Sequence, residues 1–388
     1  MTTRPTLGQV LRSVLCSPTT LRLSAHQWKT LRALAACRTG ALGGRLFHCT
    51  HCQREHFVAH SCRNRHCPQC QGGLAVDWLE QQQAALLPIA CFHLVFTVPH
   101  ALNGLIRQNR RPLFNLLFST ASQTLLEFGE GRFQARIGLT AVLHTWSQTL
   151  LDHYHLHCIV TGGGVARDGT RWVASPGYFL FPVKALSRVF RGKFLAGLNT
   201  LFDQGKLEFH GALAPLAGRA PFALLLQETA RSKWVVYAKR PFAGPRQVLA
   251  YLSRYTHRVA LSPRRLIAAD AHRVSFHYKD YADDARAKTM TLDRPEFVRR
   301  FCLHILPERF VKIRHYGLLG NRQRQQRLAR ARQLLAALPC APQEPPASPS
   351  HRAEFTPERC PFCQHNALVF VREMAPDRGR EPAMLDSS

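Results

Sequence analysis

The segment Asp152-His153-Tyr154-His155-Leu156-His157-Cys158-Ile159-Val160 constrains this chain more than any other. Its histidines fall at alternate positions and run into an apolar, β-branched pair, the pattern of an extended strand with two unlike faces. On such a strand His155 and His157 share a face about 7 Å apart, while Leu156 points the other way, into a core. Two imidazoles at that spacing can lean onto one divalent ion. The alternative is a His-rich strand without metal, its imidazoles hydrogen-bonded at a sheet edge. A third ligand comes from elsewhere: Gln148 on the preceding segment is preferred, with His257 further along the chain as the other option. His153 shares the face but sits about 13 Å from His157, too far for a straight strand to bring all three to one ion.

The cysteines form a second constraint. Cys49-x2-Cys52 and Cys67-x2-Cys70 are separated by 14 residues, close to the spacing of a four-thiolate structural zinc site. Each CxxC turn lets two thiolates grip one ion. The polar neighbours Arg63, Arg65, Gln69 and Gln71 argue against cysteines buried as small apolar residues. Cys37, Cys62, His51 and His66 are spare donors that can displace one of the four or hold a second ion. Arg63 and Arg65 would present their guanidinium groups to DNA beside the metal. Cys360-x2-Cys363 is half a site, to be completed by Cys340, His351 or His365 if it binds metal at all.

Charge narrows the partner. Lys and Arg total 52 against 24 Asp and Glu, a formal net charge of +28. A surplus of that size makes a positive field whose commonest use is contact with nucleic-acid phosphates. Arg outnumbers Lys, which favours forked phosphate contacts; an Arg-biased genome would account for that preference but not for the scarcity of acids. The same scarcity makes catalysis by a triad of carboxylates the least compatible reading. No apolar run reaches the length of a membrane span, and the N-terminus has no signal-peptide pattern. A reducing, cytoplasmic setting is therefore expected, in which clustered cysteines argue for metal over disulfides.

The pattern along the chain predicts an α+β protein. Residues 1–90 read as an N-terminal helical and zinc-binding, DNA-binding domain, with a helix at 74–87 ended by Pro88. Residues 91–320 read as a sheet domain. Its strands fall at 91–98, 137–146, 155–160, 234–238, 264–268, 273–278 and 289–292, and its helices at 101–128, 183–203 and 247–257. The run Gly162-Gly163-Gly164 reads as a turn. Residues 321–388 read as a basic helix, a Pro-rich linker and a short CxxC tail, flexible beyond residue 326.

Within the helix at 247–257, Tyr251 and Tyr255 stand at i and i+4 and share a face. Such a pair is commonly core packing. Beside a His-x-His platform and a strongly basic chain, it also fits covalent catalysis. A tyrosine attacks a phosphodiester, Arg254, His257 and Arg258 steady the phosphate, and the ion acts as a Lewis acid. Phosphate chemistry of this kind favours hard ions, Mg2+ or Mn2+, over Zn2+.

These residues resemble the HUH single-strand nucleases, named for His-apolar-His, and more closely the rolling-circle transposases of the insertion-sequence-91 family. The resemblance is carried by an ordered set of motifs covering roughly residues 35–325. They are Cys-Arg-Thr-Gly-Ala-Leu-Gly-Gly at 37–44, Ser-Cys-Arg-Asn-Arg-His-Cys-Pro-Gln-Cys at 61–70 and Phe-Thr-Val-Pro at 96–99. They continue with His-Thr-Trp-Ser-Gln at 144–148, His-Tyr-His-Leu-His-Cys at 153–158 and Thr-Gly-Gly-Gly at 161–164. Tyr-Ala-Lys-Arg-Pro-Phe at 237–242, Tyr-Leu-Ser-Arg-Tyr-Thr-His-Arg at 251–258 and Arg-His-Tyr-Gly at 314–317 complete it. The resemblance implies an N-terminal zinc-binding domain and an HUH catalytic domain with a central antiparallel sheet flanked by helices. It also implies transposition through single-stranded DNA by way of a 5′-phosphotyrosine on Tyr251 or Tyr255. Tyr154 stands where the family often has Pro, and some relatives keep one tyrosine only. Two other readings remain at this level: a catalytically inactive, zinc-dependent DNA-binding regulator, and a metal-independent tyrosine recombinase acting on duplex DNA.

Overall fold

The computed structural model describes residues 4–15, 21–71, 87–176, 180–242, 259–337 and 359–377. In chain order it begins with helices α1 (Leu7–Leu15) and α2 (Ala25–Ala35) and strands β1 (Gly44–Cys49), β2 (Glu55–Ala59) and β3 (Cys91–Thr97). Helices α3 (Asn103–Gln108) and α4 (Arg110–Phe133) lead into strands β4 (Ala135–Trp146), β5 (Asp152–Ala166) and β6 (Trp172–Ala174). Helices α5 (Val183–Asp203) and α6 (Arg219–Arg231) precede β7 (Val235–Phe242), β8 (Leu266–Ala269), β9 (Arg273–Asp280) and β10 (Arg286–Asp293). Helix α7 (Arg294–Cys302), strand β11 (Ile313–Gly317), helix α8 (Arg324–Ala336) and strand β12 (Leu368–Met374) close the order. The α+β expectation holds, and the helix predicted at 74–87 falls mainly outside the described residues.

The chain divides into two compact units, Met1–Leu74 with His257–Ile305 and Ser348–Ser388, and Ala75–Thr256 with Leu306–Ala347. This redraws the boundaries predicted at 91 and 320. Strands β8 to β10 form their own antiparallel sheet, in the order β10-β9-β8, and do not extend the larger one. The reason lies in their side chains: Val274 and Phe276 of β9 are fully buried, and Phe276 packs on Phe297 of α7 at 5.9 Å between rings. That small core sits beside the first helices, where Gln27 Nε2 donates to the Cys302 carbonyl at 3.0 Å. Helix α2 itself starts at a capping box, Ser24 accepting from the Gln27 amide while the Gln27 side chain accepts from Ser24 N–H, so both exposed amides at its entry are satisfied.

The second unit is built on a six-stranded sheet in the order β11-β4-β5-β3-β7, with β6 pairing β5. All its pairings are antiparallel. Period-two alternation decides which side chains go inward. Phe92, Leu94 and Phe96 of β3, Leu139, Ala141 and Leu143 of β4, and Tyr154, Leu156, Cys158 and Val160 of β5 are buried in one core with Phe114 and Phe118 of α4 and Phe190 and Phe194 of α5. The other face receives His93, Thr140, Val142, His144, His155 and His157. At the start of β5 the buried Asp152 carboxylate accepts from Arg107 Nε at 3.0 Å and Nη2 at 2.6 Å, and from the Tyr154 hydroxyl at 2.9 Å. Burial, reinforced by Asp152, pushes the Tyr154 phenol above its usual range.

Two expectations are corrected here. The Gly162-Gly163-Gly164 run does not end the strand; β5 continues through it to Ala166. The register with β4 shifts between Ile137 and Leu139. Gly163 has φ +136, and a Cβ there would lie 2.3 Å from the Val173 carbonyl oxygen. A triple glycine reads as a turn because glycine punctuates structure, but it equally permits a bulge where backbones approach closely. The second correction concerns residues beyond 326. Leu328, Ala331, Leu334 and Leu335 of α8 are buried in a cluster with Leu87, Trp172 and Leu318, so α8 is a packed element, and β12 is likewise an ordered strand.

The core face of β5 is therefore the structural support of its opposite face. Leu156→Ala should lower the free energy of unfolding by about 3–5 kcal/mol, measured as a shift in the urea midpoint. A loss below about 1 kcal/mol would mean that the position is not the tightly packed core site described.

Candidate active site and metal centres

Strand pairing assembles the histidines. His155 pairs directly with His144 across β4 and β5 and with Thr97 across β3, and His157 pairs with Val142 and Val95. His144, His155 and His157 each place a ring nitrogen within 4.8 Å of the others. All three are at least nine-tenths buried. The third imidazole thus comes from β4. Gln148, preferred from the sequence, lies in the turn between β4 and β5, while His144 faces His155 across the ladder. The signal for His144 was available: Thr140, Val142 and His144 alternate along β4, on the face that β5 gives to its histidines.

Hydrogen bonds set the orientation of the imidazoles. His155 Nδ1 donates to the His153 carbonyl at 2.9 Å, which makes Nε2 its basic nitrogen. His157 Nδ1 lies 2.8 Å from Nε2 of His93. Burial, with Lys239 nearby, pushes His93 down to about 4. Its neutral Nε2 can then accept the Nδ1–H of His157, leaving Nε2 of His157 as the electron-pair donor. His93 interrupts the apolar run from Cys91 to Val98 and reads from sequence as a core residue. Its role as a partner to His157 emerges only from the pairing of β3 with β5.

Three imidazoles converging on a rigid sheet can hold a divalent ion. Tyr251, Arg254, Tyr255, His257 and Arg258 lie outside the described residues. On β7, Tyr237 and Lys239 pair with Val95 and His93, which places both exposed side chains at register positions on the histidine face.

The thiols resolve into two groups. Cys37, Cys62, Cys67 and Cys70 form one, and Cys49, Cys52, Cys360 and Cys363 the other. The predicted set Cys49, Cys52, Cys67 and Cys70 is thus divided between them. The cause is the hairpin β1–β2, which separates the two CxxC turns, while Cys62 N–H donates to Cys37 Sγ at 3.4 Å and brings those two sulfurs in beside Cys67 and Cys70. In the first group the sulfur separations are 3.5 Å for Cys37–Cys70, 3.6 Å for Cys67–Cys37 and 3.7 Å for Cys62–Cys70. A tetrahedral ion with Zn–S bonds of about 2.3 Å needs edges of about 3.8 Å. Hydrogen bonds from neighbouring thiols, chiefly Cys62, pull Cys67 down to about 5, toward the thiolate a metal requires. Arg63, exposed, and Arg65, half-buried, lie in the loop between Cys62 and Cys67.

Comparison with known proteins fits this arrangement. Residues 11–98 match the family model described as "Transposase zinc-binding domain", and residues 138–327 match the model described as "Putative transposase". "Putative transposase y4qJ" of Sinorhizobium fredii (strain NBRC 101917 / NGR234) is 45% identical over 358 residues, 90% of this chain and 90% of its own length. "Transposase for insertion sequence element IS801" of Pseudomonas savastanoi pv. phaseolicola is 28% identical over 299 residues, 76% of this chain and 70% of its own. No solved structure matches. Among the described residues no helix is long and apolar enough to cross a membrane.

The buried imidazoles also predict a pH response. His315 accepts from or donates to Thr140 Oγ1 at 2.9 Å, and burial, with Arg324 nearby, pushes it down to about 4 from 6.5. A folded-state pKa below the unfolded one means that the unfolded chain binds more protons between those values. Stability is therefore present above pH 6.5 and falls as pH drops toward 4. His315→Asn should flatten part of that fall in urea titrations across this window; an unchanged slope would contradict the assignment.

Proposed function

The chain belongs to the insertion-sequence-91 family of transposases, and from that premise we propose that it nicks and rejoins single-stranded DNA during rolling-circle transposition, through a 5′-phosphotyrosine. The observation that carries this reading is the convergence of His144, His155 and His157 on one face of a sheet whose other face is core. Buried imidazoles that converge in this way, two of them oriented by hydrogen bonds, serve no packing purpose that apolar residues would not serve better.

In this reading His144, His155 and His157 hold Mg2+ or Mn2+, which supplies Lewis-acid polarisation of the scissile phosphate. Tyr251 or Tyr255 attacks phosphorus. The phenolic O–P bond forms, the P–O3′ bond breaks, and the phenol proton ends on the freed 3′ oxygen. Because the phosphoester is exchanged and not hydrolysed, a later 3′ hydroxyl can reverse the step and join a new strand. Arg254 and Arg258 neutralise charge at that phosphate. Tyr237 and Lys239 offer a stacking ring and a phosphate contact to unpaired bases. Arg63 and Arg65, beside the Cys37–Cys70 zinc group, contact the DNA of the element ends. The net charge of +28 favours the same partner. The action takes place in the cytoplasm, where thiolates stay reduced.

Incubation with Mn2+ and labelled single-stranded oligonucleotides carrying the element ends should give a covalent protein–DNA band on a denaturing gel. The band should vanish with His155→Ala or His144→Ala, and with Tyr251→Phe, Tyr255→Phe or the double variant. A band that persists in EDTA and on duplex DNA would replace this reading with a metal-independent recombinase. Intact binding with no band under any metal would mean a DNA-binding regulator. The ligand set is tested separately: His144→Ala should weaken Mn2+ binding in calorimetry by at least about tenfold, and Gln148→Ala by much less. The reverse order would restore Gln148 as the third ligand.

A further inference from the structure

We infer that the chain carries a second structural zinc ion, held by Cys49 and Cys52 together with Cys360 and Cys363 from the far end of the chain. The segment matching the zinc-binding domain ends at residue 98, so it contains one half of this site and not the other.

The sulfur geometry is the first support. Cys49 Sγ lies 3.6 Å from Cys363 Sγ, and Cys52 Sγ lies 3.7 Å from Cys360 Sγ. All four sulfurs fall within 4.8 Å of one another. A disulfide would bring a pair to about 2.05 Å, whereas a tetrahedral zinc ion keeps its four sulfurs about 3.8 Å apart. Cys49 and Cys360 are fully buried, and a four-thiolate cage selects zinc over hard ions.

The backbone is the second support, and it is independent of the side chains. The two turns are copies of one another. Gln53 N–H donates to the Cys49 carbonyl at 2.8 Å, and Gln364 N–H donates to the Cys360 carbonyl at 2.9 Å. Cys49 N–H donates to the Arg54 carbonyl, and Cys360 N–H to the His365 carbonyl, both at 2.9 Å. The residue after each CxxC is a glutamine in the left-handed region, Gln53 at φ 58 and Gln364 at φ 62. Such a conformation is uncommon for a non-glycine residue, and its occurrence at both equivalent positions marks two knuckles shaped to present paired sulfurs. The third support is topology. Strand β12 pairs antiparallel with β1 so that Leu368 stands opposite Cys49, and Thr50 N–H donates to the Ala367 carbonyl at 2.9 Å. The ladder thereby delivers the second knuckle to the first.

His365, a sequence-based candidate to complete the Cys360 pair, stacks on His51 at 3.7 Å between rings on the exposed rim, where both histidines also come within 4.8 Å of Cys363; the four thiols form the more buried set. Val369, Phe370 and Val371 of β12 are each about half exposed. Beside strand pairing, Phe370 packs on Phe47 at 5.9 Å between rings and Glu373 meets His60 at 2.6 Å and Arg45 at 3.4 Å, and the ion adds to these attachments. The Cys52–Cys360 link spans 308 positions, and closing a loop of that length removes unfolded-state entropy that strand pairing alone must otherwise overcome.

Elemental analysis of the full-length chain should find two zinc ions per molecule. Cys360→Ser with Cys363→Ser should leave one, and Cys62→Ser with Cys67→Ser should also leave one. A single zinc ion in the parent chain, or two retained by the Cys360/Cys363 variant, would overturn the assignment. Should that variant fail to fold, the parent protein answers directly. In native alkylation read by mass spectrometry, Cys360 and Cys363 should be protected until a chelator is added. Their modification at the rate of free thiols while zinc stays bound would equally refute the site. Loss of protection should coincide with proteolytic access to residues 359–377.

Discussion

Everything at the candidate active site depends on β5 having two faces that cannot be exchanged. Tyr154, Leu156, Cys158 and Val160 are committed to the core, so His155 and His157 have no freedom to rotate away. A slip of one residue would bury the imidazoles among phenylalanines and expose leucine, a penalty paid at every position of the strand. Register is therefore specified by hydrophobic burial, and the histidine cluster inherits its precision from that burial. The buried Asp152, gripped by Arg107 and Tyr154, pins the strand at its first residue, just before the histidines begin.

The other unit meets a different physical problem. Its sheet of β12, β1 and β2 is small and leaves Phe57, Val369, Phe370 and Val371 partly in water. A sheet of that size buries too little apolar surface to be secure alone, and small units of this kind draw their stability from metal. Thiol clusters on both sides of β1 answer that need, with backbone amides donating to sulfur at Cys37 and Cys62. In the second unit the order is reversed, because there a large apolar core supports the polar histidine face.

Local patterns in the sequence are legible where one period dominates. The strands at 91–98 and 137–146 and the helix at 183–203 emerge from alternation or helical repeat alone, and each was found within a few residues. His155 and His157 were legible for the same reason. The features hidden from the sequence share a cause. His144, His93, the pairing of Cys49 and Cys52 with Cys360 and Cys363, and the allegiance of residues 257–305 all depend on contacts between segments far apart in sequence. The glycines at 162–164 failed for a subtler reason: the residue type permits a turn and a bulge alike, and the neighbouring strand chooses between them.

By itself, the sequence determined the chemistry on offer: alternating imidazoles, paired thiols, a tyrosine pair and a surplus of positive charge, each set by residue type and short-range spacing. Only the tertiary structure decided which of those groups meet. Strand pairing selected His144 as the neighbour of His155, and the β12–β1 ladder brought Cys360 and Cys363 to Cys49 and Cys52. The physical reason is that a metal site needs donors converging from different directions. One strand or one CxxC turn presents ligands from one side only, so each site must be completed by an element that folding brings from elsewhere in the chain.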